Sequence, residues 1–322
     1  MRAVVYDRYG PPEMLRIEDV PMPTPGAGQV LVRVAATSIN LSDWETLLGT
    51  PAYSRIGGMR TPRRRILGSD IAGRVEAIGD GVTALEPGDD VYGDNLSLKG
   101  GFAEYAVAPA SALAVKPARL TFEEASTIPQ AGPIALQGTA GAGHGSRMLI
   151  NGAGGGSGSF AIQLAKRLGA HVTGVDNAEK LEFMRAVGAN AVLDYGTHDF
   201  TRTGERYDLI LDLVAHRSML AYRRALTKGG RCRIVGGTTR ALLRALTVGF
   251  VVGRATGRRI GVLAVKAGPT RFRPLTDLVI TGDLKIYIDR TFDLDDLPAA
   301  LAHVGDGKAL GKVVVTVDAG AI

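Results

Sequence analysis

Five of the seven residues from Gly152 to Gly158 are glycine, and they stand between the apolar run Met148-Leu149-Ile150 and the helical pattern Phe160 to Leu168. No other stretch limits the fold so tightly. A glycine-rich turn between a buried strand and a helix lets main-chain amides approach a pyrophosphate at the positive end of the helix dipole, where side chains would hold it off. Gly169 then stops the helix, and a second apolar strand pattern ends at Asp176, twenty-four residues beyond Gly152. An acid at that place accepts hydrogen bonds from ribose hydroxyls. The expected dinucleotide contacts are therefore Gly152, Gly154, Gly155, Gly156, Ser157, Gly158 and Asp176.

The rest of the chain supplies a frame for this unit. From Met1 to Lys116, short runs such as Gln29 to Val34 and Ile71 to Ile78 are separated by Gly and Pro, which predicts a β-rich, barrel-like domain. From Pro117 to Ala267, apolar runs of four to six residues alternate with helical patterns, which predicts an α/β domain with a doubly wound parallel sheet. The segment 268–322 has a helix pattern after Asp293 and the strand Lys312 to Val317, and it is expected to complete the first domain. Ligands bind beyond the carboxyl ends of parallel strands, which adds Val214 and Gly237 as candidate contacts.

At 322 residues two domains are expected. One cysteine, Cys232, makes neither a disulfide nor a cysteine-based zinc site, and a reducing cytoplasm is expected. No apolar run has the length of a membrane span, and the start of the chain leads straight into a strand pattern, so no membrane partner is expected. The net charge of +6 favours anions. The densest basic run, Arg60 to Arg65, contains Pro62 and reads as a solvated loop. The five histidines are scattered without ligand spacing.

With these motifs in place, the chain resembles the medium-chain dehydrogenases/reductases, and among them the zinc-independent quinone oxidoreductase (zeta-crystallin-like) branch. The resemblance spans nearly the whole chain. It is carried by "SINLSDW" (38–44), "ILGSDIAGRVEAIG" (66–79), "PGDDVYG" (87–93), "GGFAEYAV" (100–107), the glycine stretch, "VGANAVLDY" (187–195), "YDLILDLV" (207–214) and "GKVVVTV" (311–317). It implies a GroES-like substrate domain from residues 1–116 and 268–322, a Rossmann domain over 117–267, and nicotinamide in the cleft between them.

It also implies a chemistry. In the family's zinc enzymes a cysteine stands where Asn40 falls, and a His-Glu pair where Ser69-Asp70 fall; Asn and Ser are poor zinc ligands. Without a Lewis acid, the acceptors left are quinones, enones and alkenals, reduced by direct hydride transfer from NAD(P)H. Lys180 and Tyr195 have the spacing of the pair that holds a 2′-phosphate in related quinone reductases, which tips the expected coenzyme from NADH towards NADPH, with Asp176 turned outward. Pro133-Ile134 departs from the usual Leu-Thr of relatives and loses a hydroxyl near the nicotinamide end. The catalytic candidates are Asn40, whose amide could donate to the substrate oxygen that gains charge, and Tyr53, whose phenol could donate or relay a proton. Asp43 and Trp44 would shape the pocket. Equally open are structural roles, Asn40 as a turn or cap and Asp43 as an N-cap for Trp44 to Leu48.

Two other functions fit the same residues: an enoyl-thioester reductase, and a non-catalytic protein that binds the dinucleotide and RNA. No aromatic-interleaved basic stripe supports nucleic-acid binding. The last strand pattern, Arg259 to Val265, would be a sheet edge that pairs with a second copy, so a homodimer is expected.

Overall fold

The computed structural model describes residues 1–56 and 58–317, which form two compact units. The first takes in Met1–Gly132 and the chain from Lys266 onward, and the second is Pro133–Val265.

The first unit opens with β1 (Arg2–Val5) paired antiparallel to β2 (Arg16–Asp19). It continues through β3 (Gln29–Ile39), α1 (Leu41–Leu48), β4 (Asp70–Ile78), β5 (Asp90–Asp94), β6 (Tyr105–Pro109) and β7 (Leu113–Val115). β-Branched residues hold the long strand β3 extended, and Val30, Val32 and Val34 lie fully inside the core with Val91 and Phe102. The short helix α2 (Phe122–Ser126) is fixed by a capping box in which Thr121 and Glu124 bond each other's main-chain N–H. It packs on β3, β4 and β5, which keeps the first unit running past the expected boundary at 116/117.

After α3 (Ala131–Thr139), the second unit runs β8 (Arg147–Asn151), α4 (Gly156–Arg167), β9 (His171–Asp176), α5 (Leu181–Val187) and β10 (Ala191–Asp194). It ends with β11 (Tyr207–Asp212), α6 (Met219–Ala225), β12 (Leu226–Ile234), α7 (Thr239–Arg244), α8 (Phe250–Ala255) and β13 (Arg259–Val262). All six strands are parallel, in the order β10-β9-β8-β11-β12-β13. This is the doubly wound Rossmann order, and its switch point falls between β8 and β11, at the end of the strand that carries the glycine turn. Met148, Leu149 and Ile150 are completely buried, as a strand covered on both faces requires. Cys232 is buried on β12, and burial pushes its thiol pKa well up, which makes it inert.

The chain returns to the first unit through α9 (Pro269–Ile280), β14 (Ile288–Asp293), α10 (Leu297–Gly305) and β15 (Lys312–Thr316). β15 pairs antiparallel with β3, completing the sheet β14-β15-β3-β4-β5-β7, with β6 on β3 as well. This is the GroES-like unit. Among the described residues no helix is long and apolar enough to cross a membrane.

Candidate coenzyme and substrate sites

The glycines divide into those the protein's own packing requires and those it does not. Gly152 has φ +85°, and a Cβ there would press on Leu213 and Val214 at 3.2 and 3.3 Å. A Cβ on Gly154 would lie 2.5 Å from Lys180 Cδ, and one on Gly158 only 2.3 Å from the carbonyl of Gly152. Gly155 is different: its backbone is extended at φ −87°, and a Cβ would meet nothing closer than 3.7 Å. Nothing in the chain itself demands a glycine there. It is the N-cap of α4, no side chain caps that end, and the space a Cβ would fill is the space a diphosphate would take. The residues fit a dinucleotide.

The ends of β9 and β10 gather the three ribose candidates, in an arrangement that corrects one expectation. Asp176 is not turned outward; it is buried, with one oxygen accepting from the Gly154 N–H at 2.9 Å and the other from the Asn177 N–H at 3.0 Å. Lys180 is buried too, its ammonium 3.7 Å from the Asp176 carboxylate. Tyr195 is exposed, and its N–H donates to the Asp176 carbonyl. Val214 and Gly237 also meet: Gly237 has φ +93°, and a Cβ on it would clash with Ala215 and crowd the Val214 carbonyl at 3.3 Å.

Sequence reasoning missed the group that builds this rim. Asp212, fully buried at the end of β11, accepts on one oxygen from Asn151 Nδ2 (2.9 Å) and the N–H groups of Val214 (2.9 Å) and Ala215 (2.7 Å). Its other oxygen accepts from the Tyr222 hydroxyl at 2.7 Å, and burial beside this carboxylate pushes the phenol pKa well up. The network holds Ala215 at φ +61°, a left-handed conformation that an alanine seldom takes. The signal was an acid inside the apolar run Leu209 to Val214.

In the first unit, Asn40 directly follows β3 and is the N-cap of α1, so the helix starts at Leu41 rather than after Asp43. Asp43 is its third residue and accepts from the Asn40 N–H at 3.0 Å. The Asn40 side chain is not a free donor, as was expected. Its amide nitrogen donates to Asp70 at 2.8 Å and, at a longer 3.4 Å, to Ser69 Oγ. Its oxygen accepts from the buried Lys312 ammonium at 2.8 Å. Lys312 also donates to the Ile39 carbonyl and lies 3.5 Å from Asp70. Burial lowers the Lys312 pKa and raises that of Asp70 against the pull of Lys312. Asp94, opposite Asp70 in the β4–β5 ladder, is raised to about 7 by burial and then by the charges of Asp70 and Asp43. Trp44 packs against α10, where a Cβ on Gly305 would strike its ring.

Tyr53 donates to Glu45 at 3.3 Å on the wall of a cleft of about 520 Å³ that also includes Tyr6, Tyr9, Arg63 and Lys99. Burial and the Glu45 charge push its pKa up to about 12, so the phenol keeps its proton at neutral pH. Among the described residues no three His, Cys, Asp or Glu side chains are grouped to hold a metal ion. Four of the five histidines are exposed, while His303 is paired with Asp289 at 2.6 Å.

A GroES-like unit completed by the C-terminal strand, joined to a Rossmann unit with an open glycine cradle, defines a two-domain dehydrogenase. Known proteins agree. Residues 26–118 match the alcohol dehydrogenase GroES-like domain, and residues 187–315 match a family described as zinc-binding dehydrogenase. A chloroplastic quinone oxidoreductase of Triphysaria versicolor is 32% identical over 98% of both chains. A 2-methylene-furan-3-one reductase of Solanum lycopersicum is 29% identical over 98% of this chain and 79% of its own. The structure of the quinone oxidoreductase from Coxiella burnetii superposes with a TM-score of 0.88 at 29% identity, covering 98% of this chain and 99% of that one. The chain belongs to the medium-chain dehydrogenase/reductase superfamily, in its zinc-independent quinone oxidoreductase branch.

Proposed function

We propose that this protein reduces quinones, enones or alkenals with hydride from a bound nicotinamide dinucleotide and without zinc. The observation that carries the reading is the open cradle at Gly155, a glycine that the protein's own packing does not require. There the main-chain amides of Gly155, Gly156 and Ser157 would hold the diphosphate, and Val214 and Gly237 would flank the nicotinamide end. The coenzyme supplies the hydride. Relatives named for a quinone and for a methylene-furanone support an acceptor with a conjugated carbonyl.

A zinc ion does not suit the residues around Asn40: an amide, a hydroxyl and the Lys312 ammonium stand where a thiolate or imidazole would be needed. The acceptor must then bring its own electron demand, as quinones and enones do. The short bond to Asp70 fixes the plane of the Asn40 amide, and the long one to Ser69 is the contact a substrate oxygen would replace. Tyr53 retains the proton that the reduced acceptor needs.

The inward Asp176 supports the opposite coenzyme order to the one expected from Lys180 and Tyr195. A buried carboxylate at the end of β9 accepts ribose hydroxyls and repels a 2′-phosphate, and Lys180 is already engaged with it, so NADH is preferred to NADPH. Oxidation of each coenzyme against 1,4-naphthoquinone and a panel of enones is the test. Turnover with a lower KM for NADH supports the reading; no turnover with any acceptor refutes the activity, and a lower KM for NADPH refutes the preference.

A further inference from the structure

Nothing in coenzyme binding calls for the basic run Arg60 to Arg65. The loop that carries it is held at both ends. On one side the Tyr9 hydroxyl donates to the Gly58 carbonyl at 2.6 Å, and a Cβ on Gly58 would strike the Thr61 carbonyl at 2.2 Å. On the other the Tyr6 N–H donates to the Arg65 carbonyl at 3.0 Å, and Ile66 bridges Val5 of β1. Arg65 serves the protein's own structure: its guanidinium donates to Asp7 at 2.6 Å and to Glu18 at 3.0 Å, and Arg16 shares the same two acids. Arg63 and Arg64 are exposed, and neither guanidinium has a hydrogen bond or an ion pair among the described residues.

Those two arginines line the cleft of about 520 Å³ that holds Tyr53, and they also line a second cleft of about 480 Å³ that includes Val20, Pro21 and Tyr105. The charge there is unbalanced. Among the described residues the second cleft is lined by no acid, and the first only by Glu45, which already accepts the Tyr53 hydroxyl. Lys99, which lines both, is answered from inside, its ammonium 3.0 Å from Thr46 Oγ1 and 4.0 Å from the buried Asp43 carboxylate. A neutral quinone or enone would use the lining that Tyr6, Tyr9, Ile56 and Leu96 give the first cleft, and would leave two guanidinium groups beside it with only water.

We propose that the acceptor carries an oxyanion, a carboxylate, sulfonate or phosphate joined to its conjugated carbonyl, and that Arg63 and Arg64 receive it. The proposal rests on the reductase reading above, which puts Tyr53 of the same cleft beside the acceptor. A guanidinium offers paired N–H donors to two oxygens of one such group, and its charge does not titrate. Because both arginines line the second cleft as well, the anion sits either on the acceptor itself or on a longer tail that runs there; the chemistry that recognises it is the same.

The test is steady-state reduction of 1,4-naphthoquinone beside 1,4-naphthoquinone-2-sulfonate, and of the crotonyl thioester of N-acetylcysteamine beside crotonyl-coenzyme A, the two pairs separating an anion on the acceptor from a phosphate on a tail. A sulfonate also makes the ring more electron-poor, so the readout is the ratio of kcat/KM within a pair and its change in the variants. In at least one pair the ratio should favour the anionic member, less so at high salt. It should fall about tenfold in Arg63→Ala/Arg64→Ala, through a higher KM for the anionic member, and recover in part in Arg63→Lys/Arg64→Lys. It should stay at the wild-type value in Arg60→Ala, since Arg60 is exposed on the same loop but lines neither cleft. All three variants should keep the wild-type melting temperature, because the changed side chains are exposed. A ratio unchanged in Arg63→Ala/Arg64→Ala, or lowered as much by Arg60→Ala, would overturn the proposal and leave the reduction standing; no turnover of any acceptor would overturn both.

Discussion

Asp212 is the residue on which the coenzyme rim turns. One of its oxygens gathers three N–H donors and so holds Ala215 in a left-handed conformation, and the other takes the Tyr222 hydroxyl. Removing a buried acceptor strands every donor, whereas removing one donor does not. Asp212→Ala is therefore expected to destabilise the protein by about 3 kcal/mol and to weaken coenzyme binding, with Tyr222→Phe costing about 1 kcal/mol. Urea unfolding checks both; an Asp212→Ala midpoint equal to wild type would remove Asp212 from this role. Asp94 behaves oppositely. Its pKa is raised to about 7 from 3.8, so the stability available when it is protonated is lost as pH rises across that window. Asp94→Asn should melt higher than wild type at about pH 8, with the difference shrinking towards about pH 4. Such residues differ in how legible they are. Gly152 to Gly158 and Asp176 announce themselves because their chemistry is local in sequence. The partner of Asn40 does not, since Lys312 lies 272 residues away. The direction of Asp176 was hidden for a related reason: a main-chain amide competes with solvent for its carboxylate, and no spacing reports the winner.

At the scale of elements, the strand-to-helix turn from β8 into α4 is a wedge of backbone on backbone. Gly158 packs on the Gly152 carbonyl with no room for one more carbon. Gly158→Val should lower the melting temperature and abolish coenzyme binding together, whereas Gly155→Ala, with open space at its Cβ but a poorer N-cap, should reduce coenzyme affinity with a much smaller loss of melting temperature. Calorimetric titration beside thermal melts separates the two, and equal effects on stability would contradict the division of the glycines made above. Element types were readable here because β8 is a short apolar run and α4 a periodic one. Boundaries were less so. α1 begins at Leu41 since the capping box is closed by Asn40 and Asp43 together, and α2 stays with the first unit because it packs there.

At the scale of the whole molecule, a chain that leaves one β-rich unit, builds a complete six-stranded parallel sheet and returns to finish the first sheet with β15 has been read from pattern alone in its essentials. The arrangement of charge was not read, because a net +6 conceals an acid-free stretch of fourteen cationic side chains between Asp212 and Asp277. Nor was the close approach of Gly249 and Gly253 to Ile260 of β13, which needs tertiary contacts to be seen. The account stands on the amides at the start of α4. A crystal of the protein soaked with NADH tests it most directly. The coenzyme's diphosphate is predicted within hydrogen-bonding distance of the Gly155 and Gly156 N–H groups, with its adenosine ribose hydroxyls on Asp176. A diphosphate bound elsewhere, with that cradle left to solvent, would contradict it.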